Sequence, residues 1–219
     1  MLKSCVSFPK YVLSERIADG CLHAVGVAAS LVAFTVLLVI GVKSDTALWI
    51  VSLTIYGLAL VATFSFSAGY HLVALHRPRL KEWLRRFDHA AIFLMIAATY
   101  TPFVLIEMNT AFGHSLLAVV WAIAAVGIVL QLFAPRYLEG LSVALYLVQG
   151  WAVLAALEPL MSALPGRVLT LLMAGGVLYT AGVVFHLWER LPYQNAIWHG
   201  FVLVAASCHF AAVIVVVAL

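Results

Sequence analysis

Seven long apolar runs, separated by short charged or turn-forming segments, constrain this chain more than any other feature. They cover approximately Cys21–Val42, Leu48–Tyr70, His89–Ile106, Ser115–Phe133, Leu141–Leu157, Val168–Trp188 and Ile197–Leu219. Crossing a bilayer takes roughly 20 apolar residues as a helix. The runs are continuous and lack apolar/polar alternation, which excludes a membrane barrel. Hydrocarbon offers no partner to a backbone amide, so each run must satisfy its own hydrogen bonds as an α-helix. Only 10% of the 219 residues are charged, where a soluble domain carries about a quarter. Residues 1–219 therefore read as one all-α, seven-helix transmembrane domain, with no length left for a soluble one.

The basic residues orient it. With the N-terminus inside, the inner segments hold Lys3, Lys10, Arg16, Arg77, Arg79, Lys81, Arg85, Arg86, Arg136 and Arg190, and the outer ones only Lys43 and Arg167. Cytoplasmic loops concentrate lysine and arginine, so the expectation is a cytoplasmic N-terminus, an outer C-terminus and a place in the inner (plasma) membrane. Adding or removing one span scrambles this asymmetry. The fifth run is the shortest and carries Gln149. Pro102 removes a backbone donor inside the third and predicts a kink. The N-terminal stretch does not read as a cleavable signal. Three cysteines, Cys5, Cys21 and Cys208, have neither a disulfide nor a metal spacing.

Ionisable groups in membrane helices are costly and point to function. Most map to the inner end. Glu15, Asp19 and His23 lead into the first helix; Ser67 and His71, one turn apart, close the second; Asp88 and His89 open the third. His186 and Glu189 close the sixth, and Asn195 and His199 open the seventh. Imidazole with carboxylate is zinc-ligand chemistry, and three protein ligands leave a position for water. Plainer readings stand beside this one. His76, His89 and His114 taken singly fit interfacial histidines, Ser67 can bond its own helix, and Asp88 can cap a helix or pair with Arg85 or Arg86. His209 lies about 15 Å deeper than His199 at helical rise, too far to share a metal.

Several strings together resemble the hemolysin III family, the bacterial branch of the progestin and adipoQ receptor proteins, which are related to alkaline ceramidases. They are Ser67-Ala-Gly-Tyr-His71, Asp88-His-Ala-Ala-Ile92, Thr99-Tyr-Thr-Pro102-Phe103, Ala196-Ile-Trp-His199 and Cys208-His209-Phe210. Glu15 followed by His23-Ala-Val-Gly26 is similar to the family's opening motif. The resemblance implies seven helices, a cytoplasmic N-terminus and a zinc site near the cytoplasmic face. It makes His71 and His199 ligands and places Asp88 and Ser67 beside the reactive water. The family's last helix opens with His-x-x-x-His, whereas this chain has Asn195 at the first position. An amide oxygen is a poorer zinc ligand. Either Asn195 ligates weakly, Asp88 or His186 substitutes, or the site has given up its metal.

The function implied first is a zinc-dependent intramembrane hydrolase of lipid amides or esters, with Asp88 taking a proton and Ser67 orienting water or the oxyanion. The alternative is a non-catalytic sensor of membrane state with receptor-like relatives. A cytolytic pore fits less well, since the chain shows no cleavable signal and no continuous polar stripe. Nor do paired discontinuous helices suggest a transporter. The expected partners are membrane lipids or a lipid-like small molecule, not nucleic acid.

Overall fold

The computed structural model describes residues 12–44, 46–72, 77–134 and 139–218. Within them the chain forms α1 (Leu13–Lys43), α2 (Ala47–Leu72), α3 (Pro78–Pro102), α4 (Ala111–Phe133), α5 (Glu139–Trp151), α6 (Leu157–Ala163), α7 (Gly166–Leu187) and α8 (Gln194–Val217). The two halves α5 and α6 together make one span, Gly140–Ala163, so seven helices are long and apolar enough to cross a membrane. Lys3, Cys5, Lys10, His76 and Arg136, used in the sequence reading, lie outside the described residues.

The helices are turned inside out relative to a soluble bundle. On α1 the buried stripe is Asp19, His23, Gly26, Ser30, Ala33, Leu37 and Gly41, mostly small or polar and spaced three or four residues apart. Val25, Val32, Val36 and Val39 on the other face are exposed. Lipid is as apolar as leucine, so small residues that let backbones approach are favoured between helices. Neighbours in sequence pack together, α1 on α2, α2 on α3, α3 on α4 and α7 on α8, and α8 returns against α1. That return brings the two ends of the chain's helical order side by side. The span Pro78–Glu107 is central, with 67% of its most apolar window buried, against 39% or less in the other spans.

At Pro102 the outcome is more than a bend. The α-helix ends there and one π-helical turn follows over Phe103–Glu107, closed by the Met108 amide donating to the Phe103 carbonyl. Proline lacks the amide that would continue the ladder, and the wider turn re-satisfies the backbone. The fifth span breaks similarly: Ala152–Ala156 is a 3-10 segment between α5 and α6. The Tyr100 hydroxyl covers the break, shared between the carbonyls of Gln149 (3.0 Å) and Gly150 (2.7 Å), and accepts from the Val153 amide at 2.9 Å. Gln149, fully buried, donates through Nε2 to the carbonyls of Phe93 and Val120, both at 3.2 Å. The polar residue of the shortest run thus fastens this span to α3 and α4.

Candidate metal centre

The site is built at one end of the bundle from the first turns of α1, the last turn of α2, α3, and the first turns of α8. Asp19 and His23 are both buried, one turn apart on the inward stripe of α1. They lie inside the helix rather than ahead of it, because α1 begins at Leu13. Glu15 helps set this end: one carboxylate oxygen accepts the Val12 amide at 3.1 Å and the other accepts the Tyr193 amide at 3.0 Å. Tyr193 is the left-handed residue (φ 58°) that turns the chain into α8. Glu15 thus ties the start of the helix carrying His23 to the start of the helix carrying His199.

Three imidazoles meet there. Ring centroids are 5.1 Å apart for His23 and His71, 4.4 Å for His23 and His199, and 4.6 Å for His71 and His199. One ligating nitrogen from each lies within 4.8 Å of the others. The hydrogen bonds assign the tautomers. His23 Nδ1 is 2.7 Å from the Asp19 carbonyl, which can only accept, so Nδ1 carries the proton. His199 Nδ1 donates to Asp19 Oδ1 at 2.6 Å, and His71 Nδ1 faces Asp19 Oδ2 at 3.4 Å. The Nε2 atoms of His23 and His199 lie 3.1 and 3.4 Å from Ser67 Oγ. In His23 and His199 the Nδ1 protons go to Asp19 and leave Nε2 as the ligating lone pair, a donor set suited, with His71 beside them, to a divalent cation. The cluster could hold a metal ion.

Asp88 is not at a helix start, since α3 begins at Pro78. It lies beside Ser67 and within electrostatic reach of His199 and Asp19. Arg85 also acts on Asp88 electrostatically, and Arg85 and Arg86 pair with Glu82 at 2.9 and 3.3 Å. Ser67 turns to the imidazoles rather than to its own helix. Asn195 stands one turn before His199, but the third imidazole comes from α1. His186 packs on Trp198, ring centroids 5.0 Å apart, with Nδ1 buried and unpartnered. The deep His209 donates to the Leu172 carbonyl at 3.2 Å and takes no part in the cluster. His114 is exposed.

Sequence reasoning missed His23 as a member of the cluster and Asp19 as its companion. The available signal was their one-turn spacing on a helix whose other inward positions are small or apolar. The bundle also holds a cavity of about 740 Å³, lined by none of Asp19, His23, Ser67, His71, Asp88 and His199. His89, His186 and Trp198 are among its lining, and Met95, Leu160 and Leu172 among its apolar walls.

A family profile described as "Haemolysin-III related" matches residues 12–210. Hemolysin-3 of Bacillus cereus is 38% identical over 202 residues, covering 92% of this chain and 91% of the relative. The Hemolysin-3 homolog of Bacillus subtilis (strain 168) is 36% identical, covering 93% and 95%. Monocyte to macrophage differentiation factor of Homo sapiens is 29% identical over 163 residues, covering 73% and 67%. The match runs from the first turn of α1, before Asp19 and His23, past His199 on α8, so every helix that contributes to the cluster falls within it. This multi-pass membrane protein belongs to the haemolysin-III related family.

Proposed function

We propose that this chain is a zinc-dependent hydrolase of the plasma membrane, cleaving an amide or ester bond of a lipid at the cytoplasmic end of its bundle. The observation that carries this reading is three imidazoles that could hold a metal ion, with Ser67 Oγ 3.1 and 3.4 Å from two of them and Asp88 within electrostatic reach of His199. His23, His71 and His199 would hold the ion, with His23 in the part that the family pattern gives to the residue at Asn195. A zinc ion there supplies Lewis acidity and brings the pKa of a water down to about 7.

The remaining work falls to side chains of this chain. Asp88 takes the proton from the attacking water as its oxygen adds to the scissile carbonyl carbon. It returns that proton to the leaving nitrogen or oxygen as the bond to carbon breaks. Ser67 Oγ lies 3.1 and 3.4 Å from Nε2 of His23 and His199 and carries a single proton; with the imidazole lone pairs engaged, that proton is free to donate to the developing oxyanion. The cavity, within the roughly 300–1,000 Å³ range of small-molecule sites, receives the acyl chain. Arg77, Arg79 and Lys81 at this end favour an anionic, cytoplasmic lipid surface.

The test is fatty-acid release by purified, zinc-loaded protein from ceramide and from a glycerol ester lipid in mixed micelles. Turnover should fall by about 10²–10⁴-fold in Asp88→Asn, the range of a lost general base. Zinc-loaded protein without turnover on either class would sink the hydrolase reading and leave a regulatory one.

A further inference from the structure

We infer that Asp19 is the positioning residue of this metal centre, receiving the Nδ1 side of all three imidazoles and balancing charge inside the bundle. The inference rests on the metal reading given above, not on the identity of the substrate.

Three imidazoles from three helices face a single residue of α1. The backbone carbonyl of Asp19 accepts from His23 at 2.7 Å, Oδ1 accepts from His199 at 2.6 Å, and Oδ2 lies 3.4 Å from His71 Nδ1. Oδ1 is also 3.6 Å from His23 Nδ1. A carboxylate oxygen and a carbonyl oxygen accept, so His199 presents its Nδ1 proton to Oδ1 and His23 its Nδ1 proton to the backbone carbonyl. With Nδ1 protonated, a neutral imidazole has its lone pair on Nε2, away from Asp19. One residue therefore fixes the tautomer and ring orientation of His23 and His199 and faces Nδ1 of His71. The same geometry rules Asp19 out as a fourth ligand, because its oxygens sit on the protonated side of the rings.

Charge gives a second, separate reason. Three neutral imidazoles around a divalent cation leave two uncompensated positive charges in a poorly hydrated place, which is costly. The Asp19 carboxyl is the acidic group set directly against those rings. Asp19 is 8% exposed, so water contributes little of that compensation.

Asparagine distinguishes the parts of this role. Asp19→Asn keeps the size and the backbone carbonyl, so His23 retains its partner. It replaces one carboxylate oxygen with an NH₂ group, which donates. Where the NH₂ group faces His199, a donor meets a donor and the ring must shift its proton to Nε2, where it blocks ligation; where it faces His71, the acceptor on that side is lost. Losing an outer partner of a ligating histidine typically costs 10- to 100-fold in metal affinity.

Zinc affinity of the purified full chain is measured by competition with a chelator, alongside the visible spectrum of the cobalt-loaded form. Asp19→Asn is expected to bind zinc about 10- to 100-fold more weakly and to show an altered cobalt band. Asp19→Glu, which restores both acceptors, is expected to recover part of that loss. In ¹⁵N-histidine spectra of the wild type, His23, His71 and His199 are expected with the proton on Nδ1. An unchanged affinity in Asp19→Asn overturns the inference, as does any of the three wild-type histidines protonated on Nε2. If Asp19→Asn does not fold, Asp19→Glu and the wild-type tautomers decide. Wild type that binds zinc but hydrolyses nothing removes the hydrolase and leaves the anchor; wild type that binds no metal removes both.

Discussion

At the scale of single residues, the difference between reading a motif and seeing a site comes down to His23 and Asn195. Both are polar, both lie near the same bundle end, and one stands where the family pattern has a ligand. Spacing along one helix puts Asn195 and His199 on a shared face. What it omits is the neighbouring helix: α8 packs on α1, and α1 already presents an imidazole with its Nδ1 satisfied. The assignment makes a direct prediction. His23→Ala should lose bound zinc as fully as His199→Ala, while Asn195→Ala should keep it, measured as metal per chain by mass spectrometry after desalting. Equal loss in Asn195→Ala and retention in His23→Ala would return the third position to α8.

At the scale of elements, most of the helices were legible because hydrocarbon leaves the backbone one choice per segment. The irregular parts were not. Pro102 announced a disturbance, but whether the backbone kinks, breaks or widens depends on which neighbour can take up the freed carbonyls. Gln149 looked like a defect in the fifth run, and only the carbonyls of Phe93 and Val120 turn it into a fastening. Close packing of elements is equally invisible in one dimension. A Cβ on Gly127 would fall 2.4 Å from the ring of Phe93, a fully buried side chain, whereas one on Gly140 would meet nothing within 4 Å. Gly127→Ala is therefore expected to destabilise the folded protein by about 1–3 kcal/mol, the cost of forced overpacking. Gly140→Ala should be close to neutral. Thermal unfolding in a fixed detergent compares them, and an equal effect of the two would show that α4 does not rest on α3 in this way.

At the scale of the whole molecule, orientation and assembly are separate matters. The surplus of lysine and arginine on alternate connections predicts that the C-terminus faces outward. A C-terminal alkaline phosphatase fusion should be active and a C-terminal fluorescent protein dark in a bacterial host; the reverse pattern would invert the membrane orientation and move the metal centre to the outer face. The amino-acid order by itself determined that this chain crosses a membrane as seven helices, and that its polar chemistry is concentrated at one end. Both follow from local rules, the hydrophobicity of a run and the alternation of up and down. The tertiary structure alone decided which of the end groups touch. Residues 19, 23, 67, 71 and 199 become neighbours because α8 closes back on α1, and no local rule reports the rotation of one helix against another. That rotation turns His23 inward and places Asp19 between three rings. It is set by small side chains packed across helix interfaces, where fractions of an ångström decide the face.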